Sequence, residues 1–337
     1  MNNGVILASL FSSLSIGQQA NLIKRLFEEN KYIVIPHNEY FSTPSRNWNL
    51  RAFLFFTFIS NEPKWWAMAL LGQYGRKICY ATCEGSIDKE FHTPGLYNQF
   101  ELYANSGFTK RFMEEAGFKV KGVVHHAVDL KEVKQARDNP IFYKKPNDKF
   151  VWFIYVGQGY DRKRPDLMLE AFRKAQQKTN YNIGLLAISD IQQYLKPDDK
   201  NIIQIASPGS LSHLDVLRYI AGADYYLHLS RAEGFGLPVL ESRAVGTPLI
   251  CLKMSPTIEF TPPGSALWVD VNGFEIKDNI GYIKFYLHNY DLDEASDVIA
   301  QAYDIYINQK SKYEDMKAKC LEGIEEYDYH NKYKVFL

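Results

Sequence analysis

The stretch Ser230-Arg-Ala-Glu-Gly-Phe-Gly-Leu-Pro-Val-Leu-Glu-Ser-Arg-Ala-Val-Gly-Thr-Pro248 decides how the chain is read. It follows an apolar run, DYYLHLS (224–230), that reads as a buried strand, and it leads into a helix with Pro238 in the first turn. Proline is tolerated there because the N–H it lacks has no partner inside the helix. Gly246 is the expected helix stop. Gly234 and Gly236 carry no Cβ, so backbone can approach a ligand closely. The amides of Phe235, Gly236 and Leu237 would then add to the positive end of the helix, which suits a diphosphate. Glu233 and Glu241, with seven residues between them, bracket that corner and offer acceptors for hydroxyl groups on two sides.

Outward from this corner, short apolar runs alternate with amphipathic stretches, the pattern of β-α units around a parallel sheet. Upstream, strands are expected at GVILASLF (4–11), YIVIPH (32–37), AFLFFTFI (52–59), KICYATC (77–83), FELYANS (100–106) and VKGVVHH (120–126). Helices are expected over 18–29 and 108–117. NPIFYKKPNDK (139–149) has two prolines and no helical period, and reads as a linker. A second series follows: VWFIYVG (151–157), a helix from Pro165, NIGLLAIS (182–189), IIQIAS (202–207), a helix opened by a Ser212/Asp215 capping box, and PLICL (248–252). ALWVDV (266–271) reads as the last strand, with helices beyond Glu275. The expected architecture is α/β: two Rossmann-like, doubly wound domains, 1–145 and 150–320, facing a cleft; by analogy with related folds alone, 321–337 would pack back on the first. A length of 337 residues suits two domains.

Composition narrows the function classes. With 46% hydrophobic and 23% charged residues the chain is globular. Thirty-nine basic and 39 acidic residues cancel, so no net charge draws it to nucleic acid or to an anionic membrane. Cys79, Cys83, Cys251 and Cys320 are too scattered for a disulfide framework or a zinc site, and read as reduced core thiols. No signal peptide is apparent, and the longest apolar run, Ala52–Ile59, is too short for a bilayer. A soluble, cytoplasmic protein is expected, with at most peripheral membrane contact. Trp65 and Trp66 are candidates for stacking on sugars or touching a lipid acceptor, although aromatics at such spacing are more often core.

EGFGLPVLE resembles the E-x7-E motif of a large retaining GT-B glycosyltransferase family, family four, which includes sucrose synthases and many mannosyl- and glucosyltransferases. The resemblance implies that Glu233 holds donor-sugar hydroxyls and Glu241 the ribose hydroxyls of the nucleotide. Y-V-G-Q-G-Y-D-R-K-R-P (155–165) is similar to the family's G-R-x4-K loop. There Gly157 matches the glycine and Lys163 the lysine that lies against the donor diphosphate. Gln158 stands where the family has arginine, and Arg162 is a candidate to supply the lost charge. Ser207 and Leu211 belong to a loop resembling the one beside the nucleotide base. Glu259 falls near a second acidic loop of the family, and nearly as well fits a surface glutamate; His228, inside its strand, reads as a core residue or one that supports the site from behind, rather than as a catalytic one.

The first half resembles the family less. Tyr103-Ala-Asn105-Ser-Gly-Phe-Thr-Lys is similar to A-x-S-x-x-T-K, and HHAVD (125–129), with His126, to the N-G-V-D turn. Cys83-Glu84 stands where many members carry a histidine pair, and Gly17 opens a helix that would face acceptor and diphosphate. The acceptor-side candidates are therefore Gly17, Glu84, Asn105 and His126. The resemblance implies transfer of a hexose from a UDP- or GDP-linked donor to a glycan, lipid-linked or protein-linked acceptor. Lys163 and the loop amides would stabilise the leaving diphosphate. No Asp-x-Asp pair stands in a metal-binding context, so no metal or other cofactor is expected. The alternative is a catalytically weak sugar-nucleotide sensor or interaction protein on the same scaffold, for which the departures at Gln158 and Cys83 are the best support.

Overall fold

In the computed structural model, residues 2–9, 15–36, 48–58, 62–72, 75–160, 162–279 and 282–337 are described. The beginning of the first loop, 12–14, and much of the aromatic-rich stretch, 37–47, lie outside them.

The chain divides into two compact units: 1–127 with 276–286 and 326–337, and 128–275 with 287–325. In the first, strands β1 (Asn2–Ala8), β2 (Ile33–Pro36), β3 (Trp48–Thr57), β4 (Lys77–Thr82), β6 (Glu101–Ala104) and β7 (Val120–Val123) form a parallel sheet ordered β2-β1-β3-β4-β6-β7. Helices α1 (Ser15–Glu29), α2 (Glu62–Leu71), α3 (Lys89–His92), α4 (Pro94–Tyr97) and α5 (Gly107–Glu115) connect them, with β5 (Gly85–Ile87) after β4. Phe53, Leu54, Phe55 and Phe56 of β3 are all buried, because both faces of a helix-covered parallel sheet are dry. Leu54 and Phe56 face one core with Cys79 and Ala81; Phe53 and Phe55 face the other with Val5, Leu7 and Phe27.

The second unit has α6 (Leu130–Asp138), β8 (Val151–Val156), α7 (Pro165–Lys178), β9 (Ile183–Ile188), β10 (Ile202–Ala206), α8 (His213–Gly222), β11 (Tyr225–His228), α9 (Leu237–Val245), β12 (Leu249–Leu252) and β13 (Ala266–Val269). Its sheet is again parallel, ordered β10-β9-β8-β11-β12-β13. Met168, Leu169, Phe172 and Ala175 recur at helical spacing along α7 and enter the core with Phe153, Leu185 and Tyr225. Ser212 caps α8 by accepting from the Asp215 amide, as the capping box predicts.

Three expectations need correction. The first unit ends at Ala127 rather than near 145, because α6 buries Val133 and Ala136 and packs on α8 and α9. Residues 139–149 are a strap on the second unit rather than a linker: Ile141 donates its amide to Arg218 O, and Lys145 pairs with Asp224 at 2.7 Å. The region beyond Glu275 does not turn directly helical. β14 (Phe274–Asn279) and β15 (Ile283–His288) come first, and β15 pairs antiparallel with β5. Helices α10 (Leu292–Asn308) and α11 (Lys310–Leu321) follow in the second unit, and α12 (Tyr329–Tyr333) in the first. Tyr329, Tyr333 and Phe336 pack into the core of Val5, Phe53 and Tyr80, so the chain's end does return to the first unit.

Candidate functional site

The decisive corner folds as its residues dictate. β11 ends at His228, and α9 begins at Leu237 with Gly236 as its N-cap at φ 90° and Gly246 as its C-cap at φ 83°. Both caps need the left-handed region, which glycine enters without steric cost. No side chain caps the start of α9, and among the described residues the Gly236 and Leu237 amides donate to nothing. They are the unpaired donors of a helix N-terminus. Phe235 turns inward and stacks on Phe260, ring centroids 4.4 Å apart.

Glu233 is buried, and its Oε1 lies 3.0 Å from Lys163 Nζ and 3.3 Å from His228 Nε2. Burial alone would raise its pKa. Lys163, then His228 and Arg162, outweigh burial and hold the carboxyl well below the usual range. Neither contact has hydrogen-bond alignment: Glu233 Oε1 and both ring nitrogens of His228 are buried without a hydrogen bond. Orphaned polar atoms of this kind mark where a ligand's own groups can bind. His228 is thus buried as expected of a core residue, but its chemistry is unsatisfied.

Lys163 reaches Glu233 from the loop after β8, where its amide closes a turn onto Tyr160 O at 2.8 Å. Gly157 and Gln158 lie half-buried in the same loop, and the Arg162 guanidinium sits 5.2 Å from the centre of the Tyr160 ring. Arg164 turns away, forking onto Asp166. Ser207 is exposed and accepts at its carbonyl from Ser210, while Leu211 is half-buried. Glu259 accepts from Ser255 Oγ at 2.6 Å within the loop after β12.

Glu241 lies one turn into α9, also buried, and its Oε1 accepts from His213 Nε2 at 2.9 Å. His213 Nδ1 in turn lies 2.8 Å from Glu132 Oε2 on α6. Burial alone would lower the His213 pKa; the carboxylates of Glu241 and Glu132 push it up to about 10. Neither His213 nor Glu132 was singled out from the sequence, since a histidine after a capping serine carries no signal of partners on two other helices.

In the first unit, two acceptor-side candidates are held in an internal network. Asn105 donates to Thr82 Oγ1 at 2.7 Å and lies 3.3 Å from His126 Nε2, and His126 Nδ1 is 2.8 Å from Tyr80 OH. Both side chains are buried, and burial, with His125 adding a little, pushes the His126 pKa down to about 3. These contacts tie together the ends of β4, β6 and β7. Gly17 is buried within the first turn of α1, and Glu84 is half-buried after β4, its carbonyl accepting from Tyr286 N. Burial pushes the Cys83 thiol up to about 12, so it is no nucleophile at neutral pH. All four cysteines are buried and unbridged. Among the described residues, no helix is long and apolar enough to cross a membrane, and no cluster of three His, Cys, Asp or Glu residues is disposed to hold a metal.

The family described as "Glycosyl transferases group 1" matches residues 137–304. A protein of Sulfolobus islandicus rod-shaped virus 1, named "Uncharacterized glycosyltransferase 335", is 29% identical over 273 residues, 78% of this chain and 79% of that one. Among solved structures, sucrose-phosphate synthase from Thermosynechococcus elongatus is similar in fold, with TM-score 0.70 and 14% identity over 99% of this chain and 97% of that one. An Anabaena protein solved with UDP and glucose gives TM-score 0.64 and 11% identity, over 99% and 98%.

Proposed function

The chain belongs to the glycosyl transferases group 1 and is a glycosyltransferase; from that premise we propose that it takes a nucleotide-sugar donor and moves a hexose from UDP or GDP to a glycan, lipid-linked or protein-linked acceptor, with retention and without a metal ion. The Lys163–Glu233 pair at the N-terminus of α9 carries this reading. A diphosphate seated over the Gly236 and Leu237 amides would draw Lys163 away from Glu233. Lys163 and the amides would then balance the negative charge that grows as the anomeric bond breaks. Those fixed positive groups supply what a divalent cation supplies in other transferases. Glu233, ionised and released from the ammonium, would accept hydrogen bonds from the sugar hydroxyls. Glu241, one turn deeper, would accept from the ribose. Arg162, Gln158, Gly157, Ser207 and Leu211 complete the proposed donor contacts. Gly17 and Glu84 remain the acceptor-side proposal.

The test is turnover. The chain is incubated with UDP- and GDP-hexoses and a mixed glycan and lipid-linked acceptor pool in EDTA. Release of nucleoside diphosphate and a product with the donor's anomeric configuration by NMR are expected. A rate restored only by Mg²⁺ overturns metal independence, an inverted anomer overturns retention, and no release from any donor overturns the reading as a whole.

A further inference from the structure

Glu241 is almost wholly withdrawn from water, and a buried carboxylate needs hydrogen-bond partners in place of the water it has lost. Its Oε1 is engaged by His213 at 2.9 Å, whereas Oε2 makes no hydrogen bond among the described residues. The other ring nitrogen of His213 meets a second carboxylate, Glu132, at 2.8 Å. Ionised carboxylates only accept hydrogen bonds, so both ring nitrogens must donate, which makes the ring an imidazolium. Glu132, His213 and Glu241 come from three different helices, α6, α8 and α9.

We propose that His213 is the positioning residue for ribose recognition, presenting Glu241 as an oriented acceptor for the 2′- and 3′-hydroxyls of the donor nucleotide. The inference rests on the donor reading above, in which Glu241 meets the ribose. A carboxylate that accepts from two vicinal hydroxyls needs a fixed plane. The bond from His213 to Oε1 sets that plane and leaves Oε2 open. His213 is itself held, because α8 is anchored at its far side by Arg218, which donates to Asn139 O at 2.7 Å and pairs with Asp215 at 3.0 Å. It also opens α8 directly after the Ser207–Ser212 loop, so one residue joins that loop to the ribose carboxylate.

The experiment compares calorimetric affinities of the whole chain for UDP and GDP with those for their 2′,3′-dideoxy counterparts. In the unaltered protein the ribose form of whichever base binds should be preferred by roughly 10- to 100-fold. In His213→Leu that preference should shrink to about twofold, with affinity for the dideoxy form nearly unchanged. Donor KM should rise while kcat stays within about twofold. Glu132→Gln, which leaves the His213–Glu241 bond in place, should keep most of the preference. If His213→Leu does not fold by circular dichroism, His213→Gln, which can still donate to Glu241, is used, and its preference should lie between the two. Equal loss of affinity for ribose and dideoxy forms in the His213 variant overturns the inference and leaves the donor reading intact. Equal affinity for both forms in the unaltered protein, or no binding of either nucleotide, overturns the donor reading and the inference with it.

Discussion

Lys163 Nζ lies 3.0 Å from Glu233 Oε1, with 11% of one side chain and 7% of the other exposed to solvent. The two come from different β-α corners of the same sheet, after β8 and after β11, and each is the other's counter-charge. A buried pair of this kind is stable only while both members are present, since removing one strands the other. An anionic ligand changes that balance, because it can take over the ammonium and leave the carboxylate available to hydroxyls.

Glu233→Ala should therefore lower kcat by about 10²–10³-fold, in the range of losing one charge-stabilising group from an active site. Lys163→Met should lower kcat similarly and weaken donor binding as well. It also removes the main opposing charge, so Glu233 should protonate at higher pH and the acid limb of the rate profile should move upward. Initial rates across pH, alongside circular dichroism spectra, check this; near-normal transfer by Glu233→Ala refutes the assignment.

Two histidines should impose opposite slopes on stability. His213 has its folded pKa raised to about 10 from an ordinary value near 6.5, so its contribution is full below that ordinary value and is lost as pH rises through 10. His126 has its folded pKa lowered to about 3, so the unfolded chain binds more protons between 3 and 6.5, and stability falls as pH drops through that window. Urea unfolding of His213→Gln and His126→Gln against the parent should flatten the alkaline and the acid limb respectively, each by roughly 1–3 kcal/mol. Parallel curves for variant and parent would count against the corresponding ring's assigned charge state.

How far the sequence spoke for itself depended on whether the signal was local. The E-x7-E corner was legible because strand, glycine cap, proline and helix stop lie within one stretch, and each constrains the backbone by itself. The capping box at Ser212 was likewise readable from residue type, whereas the return of Tyr329, Tyr333 and Phe336 to the first core was expected only by analogy with related folds. β14 and β15 were missed although IKFYLH alternates, because Glu275, Lys277 and Asp278 beside the apolar residues of FEIKDN resemble an amphipathic helix in so short a run. His213 was missed for a different reason: its two carboxylates lie 81 and 28 residues away, and no periodicity encodes such a meeting. Asn105 and His126 lie in segments that resemble family motifs, but only the packing reveals that their side chains lie 3.3 Å from each other.

Asn105→Ala supplies a test of that last point. It leaves Thr82 and His126 without their shared partner in a buried setting, which should cost about 2 kcal/mol. Transfer rates measured well below the melting temperature should change little. A variant of unchanged stability that has lost transfer would instead place Asn105 on the acceptor.

Gly236→Ala tests the corner itself. The residue sits at φ 90°, a conformation that L side chains rarely adopt, and an added Cβ would meet Thr257 Cγ2 at 3.0 Å. Strain and crowding together should cost about 1–3 kcal/mol of stability. If the Gly236 and Leu237 amides receive the diphosphate, relieving that strain must rotate them, so affinity for the nucleoside diphosphate should fall by roughly tenfold or more. Binding of the bare nucleoside, which has no phosphate to place there, should be affected far less. Calorimetry with UDP against uridine, or GDP against guanosine, separates the two. Loss shared equally by nucleotide and nucleoside would mean that the substitution damages the fold around α9 and says nothing for a phosphate at its N-terminus, whereas loss confined to the diphosphate locates the phosphate there.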